Sequence, residues 1–384
     1  MNPEEFVGSA GTLSLSSLPT GESFFTFSPN LLPMRIEYDD ELIELLVKAG
    51  RELGYLSASK NRNITPFLIY LYTRKEAVAS SKIEGTKTSL TDLVIKEASQ
   101  LELSDKFSDE QEVVNYSMAL DLGLDIIKKE DINLDLILQL HKKLLSGLKR
   151  RGKVIGELRN TQNYISGKTG GITNADFIPT YPNNVKPLIE NLFGYLKNGK
   201  DHPLIKIGIA HYQFEAIHPF DDGNGRIGRM LILLYLMKIK MLEIPLLYVS
   251  GYFEKNREKY YDELLNVSKT GDYRRWLKFF LKGLINVSND AKSKELKLIE
   301  YVDQKKTEIK ARHLKHKHAE VIMDYLSLER PFISIRSAAT YLDVSFPTAK
   351  KVIDSLVAMK ILYPTTTKKS YKSFVAQDIL GIIS

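Results

Sequence analysis

The twelve residues His218 to Arg229 read H-P-F-D-D-G-N-G-R-I-G-R. Before them Leu204, Ile205, Ile207, Ile209, Ala210, Phe214 and Ile217 recur at helical spacing, and after them so do Ile227, Met230, Leu231, Leu234 and Met237. Two buried helices are therefore expected to meet here, joined by a tight turn rich in Asp, Gly and Asn. Such a turn suits an anion. Glycine accepts positive φ, so successive backbone N–H groups can converge, and the dipole of the following helix adds to their field. Arg226 and Arg229, three apart, share one face of that helix. A base, a carboxylate suited to a metal and two cations thus lie in one loop.

At these residues the sequence resembles the Fic (Fido-domain) family, whose signature is H-x-F-x-[D/E]-G-N-G-R-x-x-R. His218, Phe220, Asp222, Gly223, Asn224, Gly225, Arg226 and Arg229 match its eight fixed positions. The resemblance implies a helical enzyme that transfers AMP from ATP, with Mg²⁺, to a hydroxyl of a target protein. In that reading His218 is the general base on the hydroxyl and Asp222 the Mg²⁺ ligand. Asn224 and the Gly223 and Gly225 backbone would cradle the α- and β-phosphates. Arg226 and Arg229 would meet the β- and γ-phosphates. Phe220 would point into the core, and Asp221 is given no role. Relatives that phosphorylate instead carry lysine where this chain has Gly225, so AMP transfer is favoured. No P-loop or kinase signature competes for ATP.

Composition sets the broader class. The chain has 384 residues, 43% hydrophobic and 26% charged, which suits a globular protein of two or three domains. It has no cysteine, which excludes disulfides and thiolate metal sites. The start lacks the marks of a signal peptide and no apolar run is long enough to span a bilayer, so a cytoplasmic protein without membrane contact is expected. The net charge of +7 permits an anionic partner without requiring one.

The fold class expected is mostly α: a Fic helical core with a small β-hairpin flap, plus a C-terminal winged helix-turn-helix. Four segments are expected: an N-terminal helical region (1–110), a Fido catalytic domain (111–285), a charged helical linker (286–318) and the winged-helix domain (319–384). Residues up to about Pro33 read as an extended arm without a regular element. Helices follow at 40–53 and from Pro66 to Ser81. The second ends in Ser80-Ser81-Lys82-Ile83-Glu84-Gly85, by itself a helix terminus with a glycine cap. Beside the signature it resembles the family's inhibitory helix, with Ser80 and Glu84 at the defining positions and Glu84 pairing with Arg229 in place of the ATP γ-phosphate. Further helices are expected at 109–124, 134–148, 185–196 and from Pro203. His141 reads as a packing or surface histidine.

Residues 156–182 break the helical pattern and match, by resemblance, the stretch leading into the flap, which holds a target by strand addition. Ile165, Ser166 and Gly167 would border the nucleotide, and Ile172, Thr173, Phe177 and Ile178 would face the target. By the same resemblance Asn256, Tyr260 and Tyr261 belong to the adenine and ribose pocket. Residues 289–320 are dense in Lys and Glu and read as a solvated helix, with His313, His316 and His318 on a charged face. The tail resembles a winged helix-turn-helix, with Lys350, Lys351, Lys368, Lys369 and Lys372 as a basic surface for DNA. Such modules also bind proteins, and both readings stay open. A homodimer is implied by the resemblance alone. Two other functions remain: AMP removal from a modified protein with Glu84 orienting water, or DNA-binding regulation with the Fic part as sensor. A metal hydrolase using His218 and Asp222 is disfavoured, because the loop supplies arginines where a metal needs ligands.

Overall fold

In the helix Pro203–Ile217 every residue from Leu204 to Ile217 except Glu215 is buried. A helix apolar all round has no face for solvent and becomes the centre on which others pack. The computed structural model describes residues 1–17, 21–58, 65–99, 109–148, 153–166, 171–312, 316–365 and 373–383. In chain order the elements begin with β1 (Gly11–Ser17), β2 (Ser23–Pro29), α1 (Asp40–Ala58), α2 (Thr65–Ile83), α3 (Leu90–Ser99), α4 (Asp109–Ile126) and α5 (Leu134–Leu144). Then come β3 (Ile165–Ser166), β4 (Ala175–Phe177), α6 (Pro182–Asn198), α7 (Pro203–Ile217), α8 (Asn224–Lys238), α9 (Val249–Lys255) and α10 (Arg257–Thr270). The chain continues with α11 (Tyr273–Ala311), α12 (His316–Leu328), β5 (Phe332–Ser334), α13 (Ile335–Leu342), α14 (Phe346–Ala358), β6 (Tyr363–Pro364), β7 (Ser373–Val375) and α15 (Gln377–Ile383).

The mostly helical class holds, and several boundaries are set by readable local chemistry. Asn133 caps α5 by accepting from Leu136 N–H at 2.9 Å. Pro203 occupies the first turn of α7, where a missing N–H costs nothing. The N-terminal expectation was wrong: β1 and β2 form an antiparallel hairpin from Gly11↔Pro29 to Ser17↔Ser23. Its alternation (Leu13 and Leu15 among serines, then Phe25 and Phe27) is hidden by the Ser, Gly and Pro content around it. The hairpin is anchored because Phe27 N–H donates to Ile178 O at 2.8 Å, beside the β3–β4 pair.

The segment read as a solvated linker is also corrected. α11 runs unbroken for 39 residues across position 285 and buries Ala291, Glu295, Leu298, Val302 and Ile309. Apart from Glu295, its charged residues lie off that buried stripe. Past it, β5, β7 and β6 make a small antiparallel sheet in that order, flanked by α12, α13, α14 and α15. Lys75 of α2 and Lys294 of α11 donate to Ile383 O of α15 at 2.6 and 3.1 Å. His313 and the basic Lys368, Lys369 and Lys372 lie outside the described residues. No helix among the described residues is long and apolar enough to cross a membrane.

The joint between α7 and the later helices is aromatic. Trp276 is fully buried, donates its indole N–H to Gly208 O at 2.8 Å, and lies against His211, Phe253, Tyr260 and Phe279. Trp276→Ala is expected to lower stability by about 3–5 kcal/mol; urea unfolding followed by circular dichroism measures it.

Candidate active site

α7 ends because Pro219 follows His218, and a proline cannot continue the i→i−4 ladder. His218 takes the left-handed conformation (φ 51°, ψ 62°), a strained one for a residue with a Cβ. Arg159 holds it there. The buried Arg159 guanidinium donates to His218 O at 2.8 Å, to Thr161 O at 3.1 Å, and to Thr180 O and Ile217 O. Its backbone N–H donates to Pro219 O at 2.9 Å. Burial lowers the Arg159 pKa to about 10, so it stays charged.

The loop is clasped from inside. Asn224 Oδ1 accepts from Phe220 N–H and its amide donates to Phe220 O, both at 2.8 Å. His141 stacks on Phe220 with ring centroids 3.9 Å apart. Its Nδ1 accepts from Gly156 N–H at 2.9 Å, so Nε2 carries the proton given to Asp222 O at 3.0 Å. Burial pushes its pKa down to about 4, and the neutral ring keeps both bonds. His141 is therefore a packing histidine that shapes the loop. In this structure the Asn224 side chain is engaged by the loop, with both hydrogen bonds going to the Phe220 backbone.

α8 opens at Gly223, which is left-handed at φ 82°. Next comes a close approach that only glycine allows. A Cβ on Gly225 would lie 2.4 Å from Glu84 Oε1 and 2.7 Å from an Arg229 nitrogen. Arg229 is 1% exposed, and its guanidinium donates to Ser80 Oγ and Ser80 O, each at 2.9 Å, and to Glu84 Oε1 at 2.7 Å. Burial opposes the charge on Glu84, but Arg229 outweighs it and holds the carboxyl below its usual range. Ser80 and Glu84 reach Arg229 because α2 is fixed four and eight residues earlier by Glu76. That buried carboxylate accepts from Ser250 N–H at 3.1 Å, from the Ser250 hydroxyl and from Tyr116 OH at 3.2 Å.

A cavity of about 550 Å³ opens beside this pair. Its wall includes Glu84, Ile165, Phe177, Glu215, His218, Gly225, Arg229, Arg257 and Tyr261. His218 is half-buried there. Its Nδ1 faces Glu215 O at 3.3 Å, and since a carbonyl only accepts, Nδ1 carries the proton and Nε2 the lone pair. Burial, then the nearby Arg159 charge, lowers the His218 pKa to about 4, so the imidazole is neutral at ordinary pH.

Other expected site residues lie elsewhere. Arg226 is 2% exposed and paired with Glu112 at 2.9 Å and Asp222 at 3.3 Å, away from the cavity wall. Tyr260 is buried, with its hydroxyl 2.8 Å from His211 Nε2, and belongs to the core. Asn256 turns its amide to Tyr252 O at 2.9 Å, between α9 and α10. Ile178 packs fully buried with Phe24 and Ala175, so its side chain cannot face a target. Ile172 leans on the same cluster and Thr173 is exposed. Ser166 lies in β3, paired with Ala175, and Gly167 is outside the described residues. Arg159, Glu215 and Arg257 were not anticipated. For Arg159 the one available signal was a lone arginine in a Gly/Asn-rich stretch, which reads as surface until its four carbonyl acceptors are seen.

Comparison with known proteins bears on the family and the fold. Residues 131–236 match the Fic/DOC family and residues 43–125 match the Fic/DOC family N-terminal region. A protein adenylyltransferase Fic of Culex quinquefasciatus is 30% identical over 208 residues, covering 51% of this chain and 37% of that one. A protein adenylyltransferase of Caenorhabditis briggsae is 28% identical over 260 residues, covering 65% and 46%. The chain thus spans less than half the length of these curated relatives. The crystal structure of a Fic family protein from Desulfovibrio desulfuricans G20 superposes with TM-score 0.59 at 20% identity, over 90% of this chain and 98% of that one, which establishes the shared helical fold.

Asn224→Ala leaves the buried Phe220 N–H and C=O without their partner and is expected to cost about 2–3 kcal/mol in the nucleotide-free protein. Thermal unfolding without ligand reads this; an unchanged midpoint would return Asn224 to the role of a ligand contact.

Proposed function

We propose, from the premise that the chain is a Fic/DOC family protein, that it transfers AMP from ATP to a hydroxyl side chain of a target protein and of itself, and that Glu84 inhibits it. The observation that carries the reading is the Arg229–Glu84 pair beside His218 in one cavity. A buried guanidinium needs an anion, and the γ-phosphate of ATP is an alternative to the Glu84 carboxylate. While Glu84 holds Arg229, the triphosphate has no place there. With Glu84 withdrawn, Arg229 can take the γ-phosphate, and the backbone of Gly223 and Gly225 and the start of α8 can take the other phosphates.

His218 then acts through Nε2. The lone pair accepts the proton of the target hydroxyl as its oxygen attacks the α-phosphorus, and pyrophosphate leaves; such a base is worth about 10²–10⁴-fold. Asp222 is the oxygen donor that fits Mg²⁺, being 20% exposed at the head of α8. Among the described residues no cluster of three ligand side chains stands ready for a metal, so the remaining ligands would be phosphate oxygens and water. The ion would spread the phosphate charge. Arg226, paired with Asp222 and Glu112, orients that carboxylate. Ile165 and Phe177 border the cavity from the flap, and main-chain pairing along β3–β4 would position a target strand.

For residues 319–384 we infer a winged helix-turn-helix, supported by the order helix, strand, helix, helix, strand, strand and by the antiparallel β5–β7–β6 sheet. Lys350 is paired with Asp354, so DNA contact rests on Lys351 and on residues outside the described set.

With α-³²P-ATP and Mg²⁺, Glu84→Gly is expected to label itself strongly, wild type weakly and Glu84→Gly/His218→Ala not at all. Absence of label in all folded variants would sink AMP transfer; loss of label from a modified target without ATP would instead support AMP removal. The low His218 pKa sets a second expectation. A group needed in its neutral form fails only as pH falls through its pKa, so kcat/KM of Glu84→Gly should hold from pH 7 to about 5 and drop toward about 4.

A further inference from the structure

Glu215 takes no part in the chemistry above, yet it stands in the same cavity, one helical turn before His218. Its Oε1 is buried and has no hydrogen-bond partner among the described residues. A Cβ on Gly228 would lie 2.3 Å from this oxygen, just as one on Gly225 would lie 2.4 Å from Glu84 Oε1. Gly225 and Gly228, three apart, share one face of α8. Two carboxyls therefore lie along that face, near the one Arg229 charge. Glu84 pairs with it; among the described residues no ion pair joins it to Glu215.

We propose that Glu215 is a nucleotide-positioning residue that enters the ATP complex as the neutral acid and donates its O–H to a phosphate oxygen of the nucleotide held by Arg229. This rests on the reading that ATP replaces Glu84 in the cavity. The ionised form would repel a polyphosphate and compete with it for Arg229. The neutral acid offers a donor that nothing else in the site consumes. ATP binding is then linked to one proton.

The surroundings support that protonation state. Burial pushes the Glu215 carboxyl up to about 8; Arg229 of α8 opposes this and Glu84 of α2 adds to it. From α10, Tyr260 and Tyr261 face the same region with phenols held above their usual range, and Arg257 and Asp262 stand on the cavity wall with Asp176 of β4. His218 changes charge near 4 and Glu84 below its usual range. Glu76, up at about 7, faces Tyr116 and Ser250 and lies outside the cavity wall.

The test is calorimetric binding of MgATP to Glu84→Gly, Glu84→Gly/Glu215→Gln and Glu84→Gly/Glu215→Ala between about pH 6.5 and 9, with circular dichroism as a check of folding. A carboxyl with a raised pKa is protonated below it and ionises as pH rises. Glu84→Gly should therefore bind well at low pH and weaken by up to roughly tenfold per unit once pH passes the Glu215 pKa, which loss of the Glu84 charge brings below about 8. The Gln variant, which keeps a donor and cannot ionise, should hold its low-pH affinity throughout. The Ala variant should bind more weakly at low pH, also without the slope. An alkaline slope equally steep in the Gln variant overturns the proposal while ATP binding, and the reading of the site, stand. If folded Glu84→Gly binds no MgATP at any pH, the reading of the cavity fails and the proposal fails with it.

Discussion

A guanidinium 1% exposed at the head of a buried helix is the constraint on which the site depends. Arg229 cannot shed its charge, and an unpaired buried charge costs several kcal/mol, so the fold must always supply it with acceptors. Two come from the hydroxyl and carbonyl of the buried Ser80, and one from Glu84, whose side chain is 35% exposed. The permanent partners keep the arginine in place. The third position is the one filled by a side chain that reaches solvent, so the charge is never held by Glu84 alone.

Geometry around Arg229 is fixed from both helix ends. On α7, the left-handed His218 survives because its carbonyl and its neighbours' are held by Arg159 and Asn163. On α8, the two glycines let carboxyls from α2 and α7 lie against the backbone, which brings opposite and like charges into one small volume. Such crowding splits the carboxyls: Glu84, bonded to the cation, is held low, while Glu215, buried without a bond, rises. The signature residues are thus divided between those that line the cavity and those that hold the loop. His218 and Arg229 face the cavity; Asn224, Phe220 and Arg226 hold the loop.

This division explains what was legible in the sequence. Periodicity exposed the helix pair, because α7 and α8 are apolar over whole turns, and the turn between them was marked by its glycines. Ser80 and Glu84 were readable as the end of a helix, and became a site only through resemblance. Roles resting on long-range partners were hidden. Nothing local says that Arg226 meets Glu112, 114 positions away, or that the Tyr260 hydroxyl is taken by His211. Ile178 lay in a stretch read as a short extended piece, but its burial is decided by the hairpin at residues 11–29, whose serines masked its alternation. Residues 289–320 read as solvated because their charges outnumber their apolar residues, although a stripe of one in three or four suffices to bury a face.

α2 connects these observations mechanically. Its Glu76 is locked to α9 and α4, Ser80 and Glu84 close on Arg229, and on the preceding turn Lys75 donates to the carbonyl of Ile383 at the end of α15. Lys75 also lies over the Tyr248 ring at 3.9 Å and within 3.7 Å of Asp290. Burial and Lys294 drive its pKa down to about 6, so these contacts are made by a group whose charge is weakly held. Held at its middle by Lys75 and Glu76 and at its C-terminal end by Ser80 and Glu84, α2 cannot slide along its axis without breaking either the Glu84 pair or the α15 anchor. The C-terminal unit therefore contributes to the position of the Glu84 carboxylate, which is set by the packed chain rather than by the Arg229 pair alone.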